Sequence, residues 1–225
     1  AKTAKHKSSF TKQQQYLADT FIPGHTFANF NIADQNRVSV ELLKKALSEK
    51  IFNPVFLYGP KSSGKTHLLM AIAQLLKQKS LRVIYVTAET FTNHVVNATL
   101  ERFRKIFRSD DVLIFDNAEV LANKNATQEE FFHTFNDLHL HGKKIFIASS
   151  IAPRDLVAIE PRLISRFEWG ISLFLDLPAK REWPKILAKK AATLHFLLED
   201  SELTFLIQSF TSLPSLYQAL DALIL

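Results

Sequence analysis

The apolar run Val55-Phe56-Leu57-Tyr58 breaks at Gly59 into Pro60-Lys61-Ser62-Ser63 and closes on Gly64-Lys65-Thr66. Few short segments constrain a fold so tightly. The spacing is G-x-x-x-x-G-K-[ST], a loop that takes its shape only between a strand and a helix. Of the chain's five glycines, two occupy the two positions this loop requires. Their backbone freedom lets successive N–H groups converge on a phosphate. A helix opening at Lys65 turns its positive end toward the same anion. Lys65 adds a point charge for the β- and γ-phosphates, and Thr66 offers a hydroxyl to magnesium. Leu68, Leu69, Ile72, Leu75 and Leu76 supply the buried face of that helix. Gly59, Pro60, Lys61, Ser62, Ser63, Gly64, Lys65, Thr66 and His67 are therefore the nucleotide-binding candidates.

A second site follows at domain-scale distance. Asp111-Val112-Leu113-Ile114-Phe115-Asp116 is a β-rich run ending in a carboxylate. In an open parallel sheet, ligands lie beyond the carboxyl ends of the strands, so Asp116 is placed to reach a magnesium-bound water beside the phosphates. The next residue is Asn117, where ATPases of this kind carry a second acid. An amide orients water but does not take its proton at neutral pH. Nucleotide binding is thus better supported than hydrolysis, which is expected to be weak.

Five β-rich runs, 55–58, 81–87, 112–116, 144–149 and 171–176, alternate with helical patterns, the mark of a parallel sheet covered on both faces. A helix over 38–50 precedes the first strand. Another opens at Gln128 behind a capping box, Thr127-Gln128-Glu129-Glu130, with Phe131, Phe135 and Leu138 facing the core and Phe132 beside them. After Pro178 the pattern becomes wholly helical, over 183–196, 201–210 and from Pro214 onward. The expected organisation is a basic polar linker over 1–22, an αβ core over 23–177 and a small helical lid over 178–225. The lid ends at Ile224-Leu225 inside an apolar helix without a cap and reads as cut short.

The 225 residues suffice for one sizeable core, and 47% apolar content suits a water-soluble chain. No apolar stretch approaches the ~20 residues that span a bilayer. The absence of cysteine excludes disulfides and thiolate metal sites. Without a secretory pattern at the start, a cytoplasmic location is expected. Lys2, Lys5, Lys7 and Lys12 hold most of the +6 net charge; without them 24 basic residues face 22 acidic ones, so charge alone does not argue for DNA. His139 and His141 lack a clear third ligand and carry no zinc expectation. Arg102, Phe103, Lys105, Phe107 and Arg108 suit a half-buried amphipathic helix better than a single-strand stacking surface.

Several further strings resemble one family, the AAA+ domain of DnaA, the bacterial replication initiator. They are Thr26-Phe27-Ala28-Asn29-Phe30, Asn53-Pro54 before the loop, Gly64-Lys65-Thr66-His67-Leu68-Leu69, and the stretch from Thr127 to Asn136. Ile164-Ser165-Arg166-Phe167-Glu168-Trp169-Gly170 is similar to that family's arginine-finger box. The resemblance implies a five-stranded parallel P-loop sheet with a helical lid, holding ATP or ADP with Mg²⁺ in the cleft between them. Thr66 and Asp116 would serve the metal, Asp116 partly through water, with Asp116, Asn117 and Arg166 at the catalytic positions. Arg166 would reach the γ-phosphate of a neighbouring subunit, with Arg162 the other basic residue of the box; an arginine fork suits two phosphate oxygens. The resemblance further implies an ATP-dependent oligomer or filament on origin DNA, including single strands, and contacts with other replication proteins. Lys124 and Thr127 are the DNA-contact candidates, and a helical insertion over about 90–109 would assist.

This sequence also departs from the family pattern. Asn117 replaces the second acid, Ser150 the Asp that senses the γ-phosphate, and Pro214 the lid's sensor arginine. Trp183 stands for another lid arginine and Ala126 for a basic DNA contact, and the insertion is short. The sequence reading is a DnaA-like initiator module. Its rival is a regulator of the Hda type, also a DnaA-like AAA+ module, which works through protein contacts; the Asp116-Asn117 pair resembles that group. A small-molecule P-loop kinase, the third reading, would need an acceptor pocket and no arginine-finger box.

Overall fold

The computed structural model describes residues 24–49, 52–97, 107–108 and 110–224. Helix α1 (Arg37–Ser48) precedes β1 (Val55–Tyr58), and α2 (Lys65–Gln78) follows the loop. The chain continues through β2 (Val83–Thr87), α3 (Ala88–Asn97), β3 (Val112–Asp116), α4 (Asn125–Leu140), β4 (Lys144–Ser149), α5 (Pro161–Phe167) and β5 (Ile171–Phe174). Three helices close it: α6 (Trp183–Thr193), α7 (Asp200–Ser209) and α8 (Leu213–Ile224). Every strand pairing is parallel, in the order β2-β3-β4-β1-β5. β1 sits inside the sheet, so the loop after it leaves from the middle of the carboxyl edge, beside the end of β4.

The two-residue period of the strands divides the core cleanly. Val55, Leu57, Ile114, Phe146 and Ala148 face one way, onto α1 and α2. Phe56, Leu113, Phe115, Ile145 and Ile147 face the other way, onto α3, α4 and α5. There the ring of Phe91 meets Phe107, Phe115 and Phe131 edge-on at 5.1–5.4 Å, contacts that add ~0.5–1.5 kcal/mol each beyond simple burial. The last three helices form their own cluster around Trp183, Leu187, Leu216 and Leu220. Trp183, in place of an expected arginine, is thereby a lid core residue, its Nε1 donating to the Pro178 carbonyl at 3.2 Å.

Four sequence-based boundaries need correction. α4 starts at Asn125 rather than Gln128, and it has no capping box. Gln128 is wholly buried and its amide has other work: Nε2 donates to the carbonyls of Leu121 and Ala158, and Oε1 accepts from the Glu160 N–H at 2.7 Å. β2 begins at Val83, because the Arg82 carbonyl accepts from the N–H groups of Asp111 and Val112. β5 ends at Phe174 because Asn36 takes over as its neighbour; its side chain exchanges two hydrogen bonds with the Asp176 backbone, at 2.8 and 2.9 Å. α6 stops at Thr193, where His195 turns to φ 60° and the Phe196 N–H returns to the Ala191 carbonyl, a left-handed helix stop.

Candidate nucleotide cleft

The chain turns sharply out of β1. Gly59 has φ +146°, and a Cβ there would lie 1.9 Å from the Leu175 carbonyl oxygen, so only glycine fits. Ser62 and Gly64 also take positive φ, 66° and 96°. The loop then enters α2, and residues 61–67 border open space. Ser63 is buried and its Oγ has no hydrogen-bond partner. Lys65 is buried too, and its ammonium donates to the Gly59 and Pro60 carbonyls at 2.7 and 2.8 Å. Burial pushes the Lys65 pKa down, while Glu119 and Asp116 pull it back up. An orphaned hydroxyl and a desolvated ammonium at the mouth of a helix are what a phosphate would satisfy.

The acidic side of the site forms as its spacing implies. Asp116, at the end of β3, is 2% exposed. Its Oδ2 accepts from the Thr66 hydroxyl at 2.7 Å and the Tyr85 hydroxyl at 2.9 Å, and its Oδ1 from the Asn117 N–H. Burial raises the carboxyl pKa, opposed by the hydrogen bonds from Thr66, Tyr85 and Asn117 and by the Lys65 charge. Burial and the Asp116 charge together push the Tyr85 phenol far up, so it stays a donor. Thr66 and Asp116 thus present adjacent hard oxygens, which fit a magnesium ion. Such an ion would screen phosphate charge there; the chain's own residues set its place.

Loop residues Lys61 to His67 open on a cleft of about 620 Å³, bounded also by Asn117, Glu119, Ser150 and the lid helices α6 and α8; Gly59, Pro60 and Asp116 lie behind its lining. Three of its walls were missed in the sequence. Before α1, Gly24, His25, Asn29 and Phe30 line it, with Phe30 packed under Gly64 and the His67 ring 5.2 Å away. His67 Nε2 bonds the Thr26 carbonyl at 2.8 Å, and burial lowers its pKa. In the lid, Lys190 faces the cleft paired to Asp221 at 2.7 Å and lies over the Tyr217 ring, whose phenol burial raises to about 12. The third is Glu119. Pro214 is exposed and does not line the cleft.

Arg162 and Arg166 lie on α5, away from the chain's own cleft lining. Arg166 donates from Nε to Asn136 Oδ1 at 2.7 Å and stacks 3.8 Å over Trp169, whose other neighbour is the His139 ring at 4.9 Å. Arg162 pairs with Glu160 and lies 4.6 Å over Phe132. Lys124 is half-buried before α4. Thr127, the other DNA-contact candidate, is buried in the first turn of α4, 3% exposed. Phe107 is buried and Arg108 pairs with Glu130 at 2.8 Å, which suits the amphipathic reading; Arg102, Phe103 and Lys105 lie outside the described residues. His141 bonds the Asp137 carbonyl one turn back.

Sheet order, loop and lid define a P-loop α/β module of the AAA+ architecture. A family model of the bacterial DnaA ATPase domain matches residues 13–174, and the chain belongs to that family. It is 45% identical over its whole length to chromosomal replication initiator protein DnaA 2 of Protochlamydia amoebophila, covering 53% of that protein. It is 43% identical over 89% of the chain to DnaA 1 of Chlamydia trachomatis, covering 46% of it. The chain thus spans about half the length of these relatives. A solved replication initiator DnaA bound to AMPPCP and single-stranded DNA superposes with a TM-score of 0.77 at 33% identity, over 92% of this chain and 66% of that one.

Proposed function

We propose that this chain is the nucleotide-dependent module of a replication initiator. It binds ATP or ADP with magnesium, self-associates in the ATP state on origin DNA, including single strands, and acts in starting chromosomal replication in the cytoplasm. The observation that carries the reading is the meeting of Thr66 and Asp116 at 2.7 Å beside a loop in which two cleft-lining residues, Ser63 and Lys65, hold an unpartnered hydroxyl and a buried ammonium. The names of the relatives favour an initiator over a regulator, and two of the solved neighbours carry AMPPCP. Gly59 to His67 hold the phosphates, Thr66 and Asp116 the metal, and Lys124 contacts DNA. With no acid at position 117, hydrolysis is slow.

Arg166 completes a neighbour's site. Asn136 and Trp169 hold its guanidinium away from its own cleft, and its terminal nitrogens have no hydrogen-bond acceptor among the described residues. A guanidinium meeting a γ-phosphate across an interface is worth about 2–5 kcal/mol when desolvated. Sedimentation and calorimetry of wild type, Lys65→Ala and Arg166→Ala with a non-hydrolysable ATP analogue or ADP test both halves. Lys65→Ala should bind either nucleotide at least ~10-fold more weakly, about 1.4 kcal/mol. Arg166→Ala should bind normally and fail to assemble. Equal binding by Lys65→Ala would refute the nucleotide site; strictly monomeric wild type with the analogue and single-stranded DNA would refute the assembly role.

A further inference from the structure

The carboxylate missing from position 117 has a counterpart inside the cleft. Asn117 takes a left-handed backbone, φ 60°, and a single 3₁₀ turn, Ala118–Leu121, follows it. That turn folds the chain back across the end of β3, and Glu119 lines the cleft together with Lys65, Thr66 and Asn117. Its Oε2 is buried and has no hydrogen-bond partner. A carboxylate oxygen in that condition has given up water without gaining a hydrogen bond in return. A polar atom left without a hydrogen bond beside a cleft marks a place where a ligand group could be accommodated. Glu119 thus shares one cleft with the lysine and threonine of the phosphate loop.

We propose that Glu119 is the general base of this cleft, accepting the proton of the water that attacks the γ-phosphorus. The proposal rests on the nucleotide reading above. The water oxygen bonds to phosphorus, the bond from phosphorus to the β,γ-bridging oxygen breaks with its electron pair on ADP, and the water proton passes to the Glu119 carboxylate and then to solvent. Asp116 is assigned to the metal in this reading, and its oxygens accept from Thr66, Tyr85 and the Asn117 N–H. Asn117 cannot take a proton at neutral pH. Turnover is slow in this account because the base reaches in from a turn rather than from the strand end.

Glu119→Gln preserves the shape and removes the charge. In single-turnover assays of the 225-residue chain it should lower the rate about 100-fold or more, the usual range for a lost general base. Calorimetry in EDTA supplies a readout independent of turnover. Without the carboxylate near the γ-phosphate, affinity for AMPPCP relative to ADP should rise about threefold, as for one unit charge screened over several ångströms. Both must move. Wild type that binds ATP without turnover, Glu119→Gln with unchanged turnover, or an unchanged AMPPCP-to-ADP ratio each overturns the proposal. Equal weakening of both nucleotides also overturns it and makes Glu119 the counter-ion of Lys65. Wild type that binds neither nucleotide instead removes the nucleotide reading itself.

Discussion

Gly64→Ala tests whether the segment before α1 is part of the nucleotide cleft. Gly64 sits at φ +96°, and a Cβ built on it lies 2.5 Å from Phe30 Cε2 and 3.1 Å from Cζ. Two separable costs follow. The left-handed backbone opposes any L-residue by ~1–2 kcal/mol, whatever its neighbours. The Phe30 ring must also retreat by about an ångström from a place where it packs beside His67, an overpacking cost of ~1–3 kcal/mol. The sum is about 2–5 kcal/mol. Only the second cost depends on Phe30, so it vanishes in a Phe30→Ala background while the first persists. Urea denaturation of wild type, both single variants and the double variant gives the coupling directly. The double variant should be more stable than additivity allows by about 1–3 kcal/mol. Additivity within ~0.5 kcal/mol would mean that Phe30 does not pack against the loop, and the wall assigned to residues 24–31 would fall with it.

Asp116→Asn should melt no lower than wild type at neutral pH, because burial raises this carboxyl pKa and the ionised form is the disfavoured one. Stabilisation from protonating Asp116 is full below its ordinary 3.8 and is lost as pH rises through the folded value, so wild type should gain on the variant as acid is added. Magnesium-dependent nucleotide affinity should fall; a variant both less stable and unchanged in affinity would contradict this assignment. His67 has the opposite sign: with its folded pKa depressed by burial, its contribution is present above 6.5 and lost as pH falls through the folded value. Thermal melts should show wild type losing more stability than His67→Gln between about pH 7 and pH 5, and parallel curves would exclude the histidine as the cause.

What was legible in the sequence follows from how local its causes are. The loop, β1 and α2 were readable because glycine positions, a hydrophobic run and helical spacing all lie within 25 residues. Asp116 was readable because strands of a parallel sheet end on one edge, so a carboxylate at a strand end has a predictable place. The start of α4 was not. Thr127 and Glu130 satisfy a capping pattern, yet Gln128 spends its amide on Leu121, Ala158 and Glu160, and those distant partners hold three more residues in the helix. The wall before α1 was equally hidden, since Phe30 earns its position from a glycine thirty-four residues later in the chain and no periodicity marks it.

Glu119 is the sharper case. Read in line, Asn117 is a lost acid, because the comparison made is between side chains at one backbone position. The chemistry requires a carboxylate at a point in space, not at a position in the chain. A left-handed Asn117 followed by one 3₁₀ turn is enough to bring residue 119 to the cleft that residue 117 also faces. The lid shows a parallel case. Pro214 removes an arginine from α8, while Lys190 presents a cation to the same cleft from α6, held for now by Asp221. Departures from a family pattern at single positions therefore do not measure lost function until the neighbouring turns have been folded. The charge balance of this cleft is set by the lining residues Lys61, Lys65, Lys189, Lys190, Glu119 and Asp221 together with Asp116 behind them, so a change at position 117 or 214 has to be weighed against all of these.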